Sequence, residues 1–571
     1  MRHSFLSGLL AAPLTVQAVA LTGYEYIVVG SGAGGGPLAA RLALAGHKTL
    51  LIEAGDDYHT TNYTVPAYSA NSSEDPEISW NFFVRHYADD ARQARDYKTT
   101  YDTPDGHEYT GLNPPEGSTI KGTLYPRTQA IGGCTAHNAL IAVYPHQSDF
   151  EYIASLTGDD SWSPRTCANR APEHPLGDPQ LLSVLGGAAV ALTDITGTLA
   201  NLETLIAGDA NADSVSRDKE PGYYQIPLST REASRIGPRE FILAVRDATY
   251  ENGTKMYPLD VRTNAFVTKV VFDDGDEEQQ QLPRATGVEF LDGKHLATAS
   301  REVIVAGGVY NSPQLLKLSG VGPADELTKF GIPVVADLPG VGTNLQDHYE
   351  ISVQGRAPAN FSALDDCTFS LYTDEDPCLD RWNNPILGDH GIYSSSGLAA
   401  TMFYKSNASD NGDFDIFAFG GPVNFRGYFP KYAVNATVEH DWFSWAILKA
   451  HPRNTAGTAM YEAVELARKA FASQLVPITE VLPGAEVTSQ EDIETYVKDT
   501  AWGHHASSTC PIGADDDPLA VLDSSFRVRG VQGLRVVDAS VYPRIPGTFT
   551  AVSTFLVAEK AADVILGELY E

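Results

Sequence analysis

Gly30, Gly32 and Gly35 stand in the spacing G-x-G-x-x-G, and Glu53 follows them after a short helical pattern and an apolar run. A set of this kind can hold a dinucleotide. The glycines let the backbone turn tightly and approach a pyrophosphate, whose charge then rests on a helix N-terminus, while the carboxylate accepts hydrogen bonds from a ribose. A second set lies in IGGCTAHNALI, residues 131–141, where His137 and Asn138 sit among small and apolar residues. Taken alone, such a histidine is a core residue satisfied by hydrogen bonds.

The elements around the first set are those that a dinucleotide site needs. Residues 26–29 form a β-branched strand, 38–44 carry a helical apolar pattern, and 50–52 form a second strand that ends at Glu53. Strand, glycines, helix, strand and acid thus follow one another as one βαβ unit. The acid being Glu, and the unit standing near the chain start, leans toward FAD and leaves NAD open.

At 571 residues the chain exceeds the size at which a single core stops growing, about 250–300, and two domains are expected. The hydrophobic fraction of 43% and charged fraction of 20% are those of a globular protein. A formal net charge of -33 repels phosphate backbones and anionic lipid, so nucleic acid and membrane are not expected partners. Residues 1–20 read as a signal peptide: Arg2 and His3, a short apolar run, then Ala18-Val19-Ala20. Secretion is expected from it. Sequons at Asn62, Asn71, Asn252, Asn360, Asn407 and Asn435 agree with that route. Of the five cysteines, Cys367 and Cys378 lie in a polar, loop-like stretch and are the expected bridge; Cys134 and Cys510 are read as buried thiols, and Cys167 is unassigned. No residues are assigned to a metal.

Several segments together resemble the glucose–methanol–choline (GMC) oxidoreductase family of flavoenzymes. They are the βαβ unit, RTQAIGGCTAHNALI from Arg127, GGVYNSPQLLKLSGVGP from Gly307, LPGVGTNLQDH ending at His348, and the run from GHHASSTCPIGADDDPLAVLD through LRVVDASVYPRIPGTFTAVSTFLVAEKAADVI. The resemblance implies a mixed α/β (α+β) fold: a Rossmann-like FAD-binding domain interleaved with a substrate-binding domain built on an antiparallel sheet with helices. The expected pieces are 21–60, 120–165, 230–320 and 500–571 for FAD, and 61–119, 166–229 and 321–499 for substrate. It also implies FAD as cofactor and oxidation of an alcohol, aryl or sugar among the candidates, with hydride passing to flavin N5. Dioxygen, a quinone or a redox protein would take up the electrons.

Residue by residue, GGCTAHN is similar to the choline oxidase form of the flavin motif. That implies FAD joined covalently through His137, with Gly133 and Asn138 close to the ring. Val267 matches the position whose backbone meets adenine, and Asp538 and Ala539, on an expected strand VVDASVYP, return near the pyrophosphate and ribityl chain. His505, five residues before Cys510, matches the active-site histidine, and an imidazole can take the hydroxyl proton at neutral pH. Neighbours in an extended segment point opposite ways, so His504 is expected to face away. Where the family places an Asn or His before the final helix, a gapless count gives Ala551, which offers no side-chain hydrogen bond. Thr548, Thr550 and Ser553 are the nearby hydroxyls, with Ser553 preferred. This departure keeps a second reading open, a non-redox or light-driven flavoenzyme (lyase, cyclase or decarboxylase) on the same scaffold. Three aromatic clusters, Trp80/Phe82/Phe83, Phe425/Tyr428/Phe429/Tyr432 and Trp442/Phe443/Trp445, are read as core first and cavity lining second.

Overall fold

The computed structural model describes residues 20–163, 178–193, 208–212, 214–273, 275, 281–291, 293–371, 373–409, 411–450 and 456–569. The expected leader, Ala20 apart, and Cys167 lie outside these residues, as does most of the acidic stretch DDGDEEQQQ, residues 273–281.

Strand β1 (Ala20–Val29), helix α1 (Gly35–Leu44) and strand β2 (Thr49–Ile52) form the βαβ unit. β1 pairs in parallel with β2 on one edge and with His295–Val305 on the other. Layers cover both faces, so Ile27, Val28, Leu50, Leu51 and Ile52 are all buried in unbroken runs rather than alternating. The strand order is Leu259–Arg262, β2, β1, His295–Val305, Arg284–Phe290, Val267–Asp273. Arg284–Phe290 pairs antiparallel with the first half of His295–Val305, which leaves its second half free to take Leu534–Val536 in parallel. β1, β2, His295–Val305 and Leu534–Val536 therefore all end at one edge. Gly30, Glu53, Ala306 and Asp538 follow those ends, and ligands of open α/β sheets bind in the crevice at such an edge.

A second sheet is antiparallel, in the order Thr479–Leu482, Tyr349–Arg356, Trp442–Lys449, Ile416–Gly421, Ala400–Tyr404, Gly222–Tyr224. Its side chains alternate with period two. Met402, Ile416, Ala418, Trp445 and Ile447 pack with the helices Pro179–Thr193 and Ala456–Ala472, whose Ala188, Ala459, Ala463 and Ala467 allow close approach. Phe403, Phe417, Phe419, Ala446 and Leu448 face the other way and pack with Ile141 and Phe549. One sheet face thus becomes domain core and the opposite face a wall toward the first sheet. Trp445 and Phe443 belong to that core, as the cautious reading of the aromatic clusters expects.

Cys367 and Cys378 are joined in a disulfide, and Cys134 and Cys510 are free thiols; Cys510 is buried as expected, whereas Cys134 is only half-buried because its loop borders a large cavity. Asn252, Asn360 and Asn407 are exposed, whereas Asn71 is buried and its amide donates to the Phe369 carbonyl at 2.7 Å. A glycan on Asn71 would break that bond, so the Asn71 sequon does not fit an attachment site.

Candidate active site

One large cavity runs from the edge of the first sheet to the wall of the second. Its lining includes Gly30, Gly32, Glu53, Gly133, His137, Asn138, Val267, Asp538, Ala539 and His505; Gly35 stands just behind it as the first residue of α1. Residues far apart in sequence are thus brought together around a single space.

The glycines explain how the backbone reaches it. Gly30 has φ of +97°, and a Cβ there would lie 2.2 Å from the Ala306 carbonyl oxygen; one on Gly35 would lie 2.1 Å from the Gly30 carbonyl oxygen. Neither position tolerates a side chain. Gly133 approaches so closely that its Cβ would sit 2.8 Å from the Cα of Gly32, so the GGCTAHN loop and the first glycine loop meet backbone to backbone. Glu53 Oε2 accepts from Ser31 N at 2.9 Å and Ser31 Oγ at 2.6 Å, and Oε1 from Gly55 N at 3.1 Å. Asp538 accepts from Ser540 N, Gly308 N and Ser312 Oγ at 2.8, 2.9 and 2.6 Å, which ties the ends of the parallel strands Leu534–Val536 and His295–Val305 together. The strand expected over VVDASVYP stops at Val536, because the Asp538 side chain caps a helical turn, Ala539–Val541.

His137 follows a short helical turn, Gly133–Ala136. Burial, then the nearby Arg127 and Arg235 cations, hold its pKa down to about 3, so the ring is neutral at physiological pH. Its Nε2 is buried and has no hydrogen-bond partner. An unpartnered lone pair on the wall of a cavity, opposite a glycine cradle that a Cβ would fill, is what a ring-shaped cofactor held by this loop requires. The residues present fit FAD. Arg235, which sequence reasoning missed, pins the loop: it donates to the carbonyls of Tyr63, Thr135 and Asn138 at 2.8, 2.9 and 2.8 Å and to Asn138 Oδ1 at 2.8 Å.

At the other end of the cavity both His504 and His505 line the wall, their ring centroids 3.9 Å apart. The expectation that His504 faces away is therefore corrected. The segment is not an extended strand but a loop held from outside: the His505 amide donates to Asp347 Oδ1 at 2.8 Å, the Ala506 amide to Tyr125 Oη at 2.8 Å, and Arg127 to the His504 carbonyl at 3.0 Å. Behind the two rings lies Glu350, with no measurable exposure. Its Oε1 is 3.0 Å from His505 Nδ1 and 3.4 Å from His504 Nδ1, and the three residues' candidate ligand atoms all lie within 4.8 Å of one another. His348 completes the cluster, its Nδ1 at 3.3 Å from His505 Nδ1 and its Nε2 donating to the Pro546 carbonyl at 2.9 Å. In a neutral His348 that donation leaves Nδ1 as the acceptor, and His505 then carries its proton on Nδ1. His505 Nε2 keeps its lone pair. Burial, then Arg127, lowers the His505 pKa to about 3. The arrangement can take a proton from a hydroxyl placed beside Nε2.

Ala551 lines the cavity, and so does Thr550, whereas the preferred Ser553 donates to the Thr550 carbonyl inside the last helix and does not line the cavity. In place of a polar partner, Phe549 stands edge-on to His505 with centroids 4.8 Å apart. Ile141, Leu398, Phe419, Val423 and Phe425 extend this apolar wall. Of the aromatic clusters, Trp80, Phe82, Phe425, Tyr428 and Tyr432 line the cavity. His348 sits at the end of a family-like segment, so a signal for it existed; Glu350 and Arg235 carried none, because their partners are far away in sequence.

Residues 243–350 and 447–558 match family models described as GMC oxidoreductase. The chain is 30% identical over 590 residues to the human mitochondrial choline dehydrogenase, covering 95% of this chain and 90% of that one. Among solved structures it resembles an Aspergillus oryzae formate oxidase, at 18% identity, TM-score 0.70, with 97% and 99% of the two chains covered. It also resembles a fungal aryl-alcohol oxidase, at 20% identity, TM-score 0.62, with 96% and 99% covered. At these identities the two structures show a shared fold.

Proposed function

The chain belongs to the GMC oxidoreductase family and is an FAD-dependent oxidoreductase acting on alcohols, and from that premise we propose that it is a secreted enzyme oxidising an aryl or similarly apolar alcohol, with His505 as the base. The observation that carries this reading is the pairing of a cavity-lining neutral imidazole, its Nδ1 turned to His348 and Glu350, with a wall of Phe419, Phe425 and Phe549. A flat apolar ring fits such a wall and leaves the carbinol hydroxyl to His505. A sugar would leave many hydroxyls without partners there.

The pieces 21–60, 120–165, 230–320 and 500–571 would hold the cofactor, with Gly30, Gly32 and Gly35 for the pyrophosphate, Glu53 for the ribose, Val267 for adenine, Asp538 and Ala539 for the pyrophosphate and ribityl chain, and His137 as the covalent anchor. Bound FAD supplies the hydride acceptor. His505 removes the hydroxyl proton, an assistance worth about 10²–10⁴-fold, and Asp347 and Tyr125 hold its backbone in place. The alcohol's electrons leave afterwards to dioxygen, a quinone or a redox protein. Among the described residues no helix is long and apolar enough to cross a membrane.

The test is anaerobic mixing of the holoenzyme with panels of aryl alcohols, aliphatic alcohols and sugars while following visible flavin absorbance. Bleaching by aryl alcohols ahead of the others is expected. Bleaching by none, with the flavin still reducible by dithionite, would refute the alcohol-oxidising reading.

A further inference from the structure

Glu350 is buried on every side, and neither carboxyl oxygen has a hydrogen-bond partner; His504 Nδ1 is likewise buried and unpartnered. A buried carboxyl without a hydrogen bond costs stability, and an unsatisfied group of this kind calls for an explanation. Its place is not accidental. Glu350 lies on the strand Tyr349–Arg356, and its amide and carbonyl exchange hydrogen bonds with Trp502 at 3.0 Å each, which sets the carboxyl directly behind the His504–His505 loop.

Resting on the reading of His505 as the base, we propose that Glu350 is a positioning residue for the oxidation: its carboxylate, beside His505 Nδ1, balances the charge that His505 acquires when it takes the hydroxyl proton. In that step the alcohol O–H bond breaks and an Nε2–H bond forms. His505 becomes an imidazolium still carrying its Nδ1 proton, the hydride goes to the flavin, and the carbinol carbon is left as a carbonyl. His348 and Glu350 divide the work. His348 fixes which nitrogen carries the resting proton, because its Nε2 is committed to the Pro546 carbonyl. Glu350 provides the charge, as the buried acid does in a Ser-His-Asp triad.

The surrounding groups set the pH at which this can occur. Burial lifts the Glu350 pKa to about 7, against the neighbouring His504 and a contact with Trp502. Asp347 on the same segment is also lifted by burial, to about 6, while Arg127 opposes that rise and Tyr428 faces Glu350 from the substrate wall. His505 is already neutral well below this range. The ionisation that switches the pair on is therefore that of Glu350, and flavin reduction rises with pH through a limb near neutrality.

The experiment measures the anaerobic rate of flavin bleaching by the alcohol found active, across pH, in the wild-type holoenzyme and in Glu350→Gln, Glu350→Asp and His505→Gln. Glu350→Gln should lower the plateau by about 100-fold or more and abolish the limb. Glu350→Asp, which keeps the charge, should retain the limb. An unshifted flavin absorption spectrum and thermal midpoint show that each variant has folded. Should Glu350→Gln keep both the wild-type plateau and its limb while His505→Gln is inactive, the Glu350 proposal fails and the base assignment stands; a fully active His505→Gln defeats the base assignment itself. Metal analysis closes the remaining route: one equivalent of a transition metal that is lost in Glu350→Gln would make the cluster a metal site and overturn the proposal.

Discussion

Replacing Arg235 by Leu isolates what holds the loop expected to carry the flavin. Arg235 is 2% exposed and makes four hydrogen bonds, to the carbonyls of Tyr63, Thr135 and Asn138 and to Asn138 Oδ1. Burial lowers its pKa to about 10, so the guanidinium stays charged at neutral pH, and removing it relieves a desolvation cost. The acceptors left behind outweigh that relief. Each orphaned buried oxygen costs about 1–3 kcal/mol, and after the relief a net local loss of about 3–5 kcal/mol is expected. At about 1.4 kcal/mol per decade, opening of residues 131–141 should become about 10²- to 4 × 10³-fold more frequent. Hydrogen exchange of the holoenzyme, read on peptides from that loop, measures this directly. Arg235→Lys should lie between the two, because an ammonium cannot reach all four acceptors at once. Protection of the loop in Arg235→Leu equal to wild type would refute the view that these four bonds fix it.

Acid precipitation should leave yellow colour in the wild-type pellet and move it to the supernatant in His137→Ala, read by absorbance of the two fractions. Gly35→Ala should abolish flavin incorporation, since its Cβ would lie 2.1 Å from the Gly30 carbonyl oxygen; the flavin-to-protein absorbance ratio reports it. Phe549→Leu should raise KM for an aryl alcohol by about tenfold, as one edge-on aromatic contact is worth about 0.5–1.5 kcal/mol. His505, held neutral with a folded pKa of about 3 against an unfolded 6.5, makes the unfolded chain bind the extra proton between those values. Stability is then lost as pH falls, and denaturant titrations should show wild type losing up to about 1.4 kcal/mol per pH unit more than His505→Gln between about pH 6 and 4.

The sequence was most legible where function is local. Gly30, Gly32, Gly35 and Glu53 belong to one βαβ unit, and backbone approaches that no side chain tolerates leave a mark at Gly30 and Gly35. His137 and His505 were visible by resemblance, each inside a run of characteristic neighbours. The orientation of His504 was misread because the period-two rule holds for strands, whereas Asp347, Tyr125 and Arg127 impose the course of this loop from distant segments. Glu350 and Arg235 left no trace for a related reason. A buried charge is recognisable by its partners, and these lie 152 or more residues away for Glu350 and 97 or more for Arg235.

The departure at Ala551 bears on mechanism once the other side of His505 is considered. An Asn or His in front of the base would share the substrate oxygen with it and spread the developing charge. With Ala551 and Phe549 in front, neither of these two side chains offers this help, and on the proposed reading the alkoxide-like charge is removed by complete proton transfer to His505. Complete transfer leaves a full positive charge on a ring that burial strongly disfavours. A cation in that place is tolerable only with an anion within contact distance, and Glu350 Oε1 at 3.0 Å is such an anion. The apolar front and the acidic back are thus two halves of one arrangement: installing Asn at position 551 should make Glu350→Gln less damaging, and a double-mutant cycle on flavin bleaching that returned strictly additive losses would break the link between them.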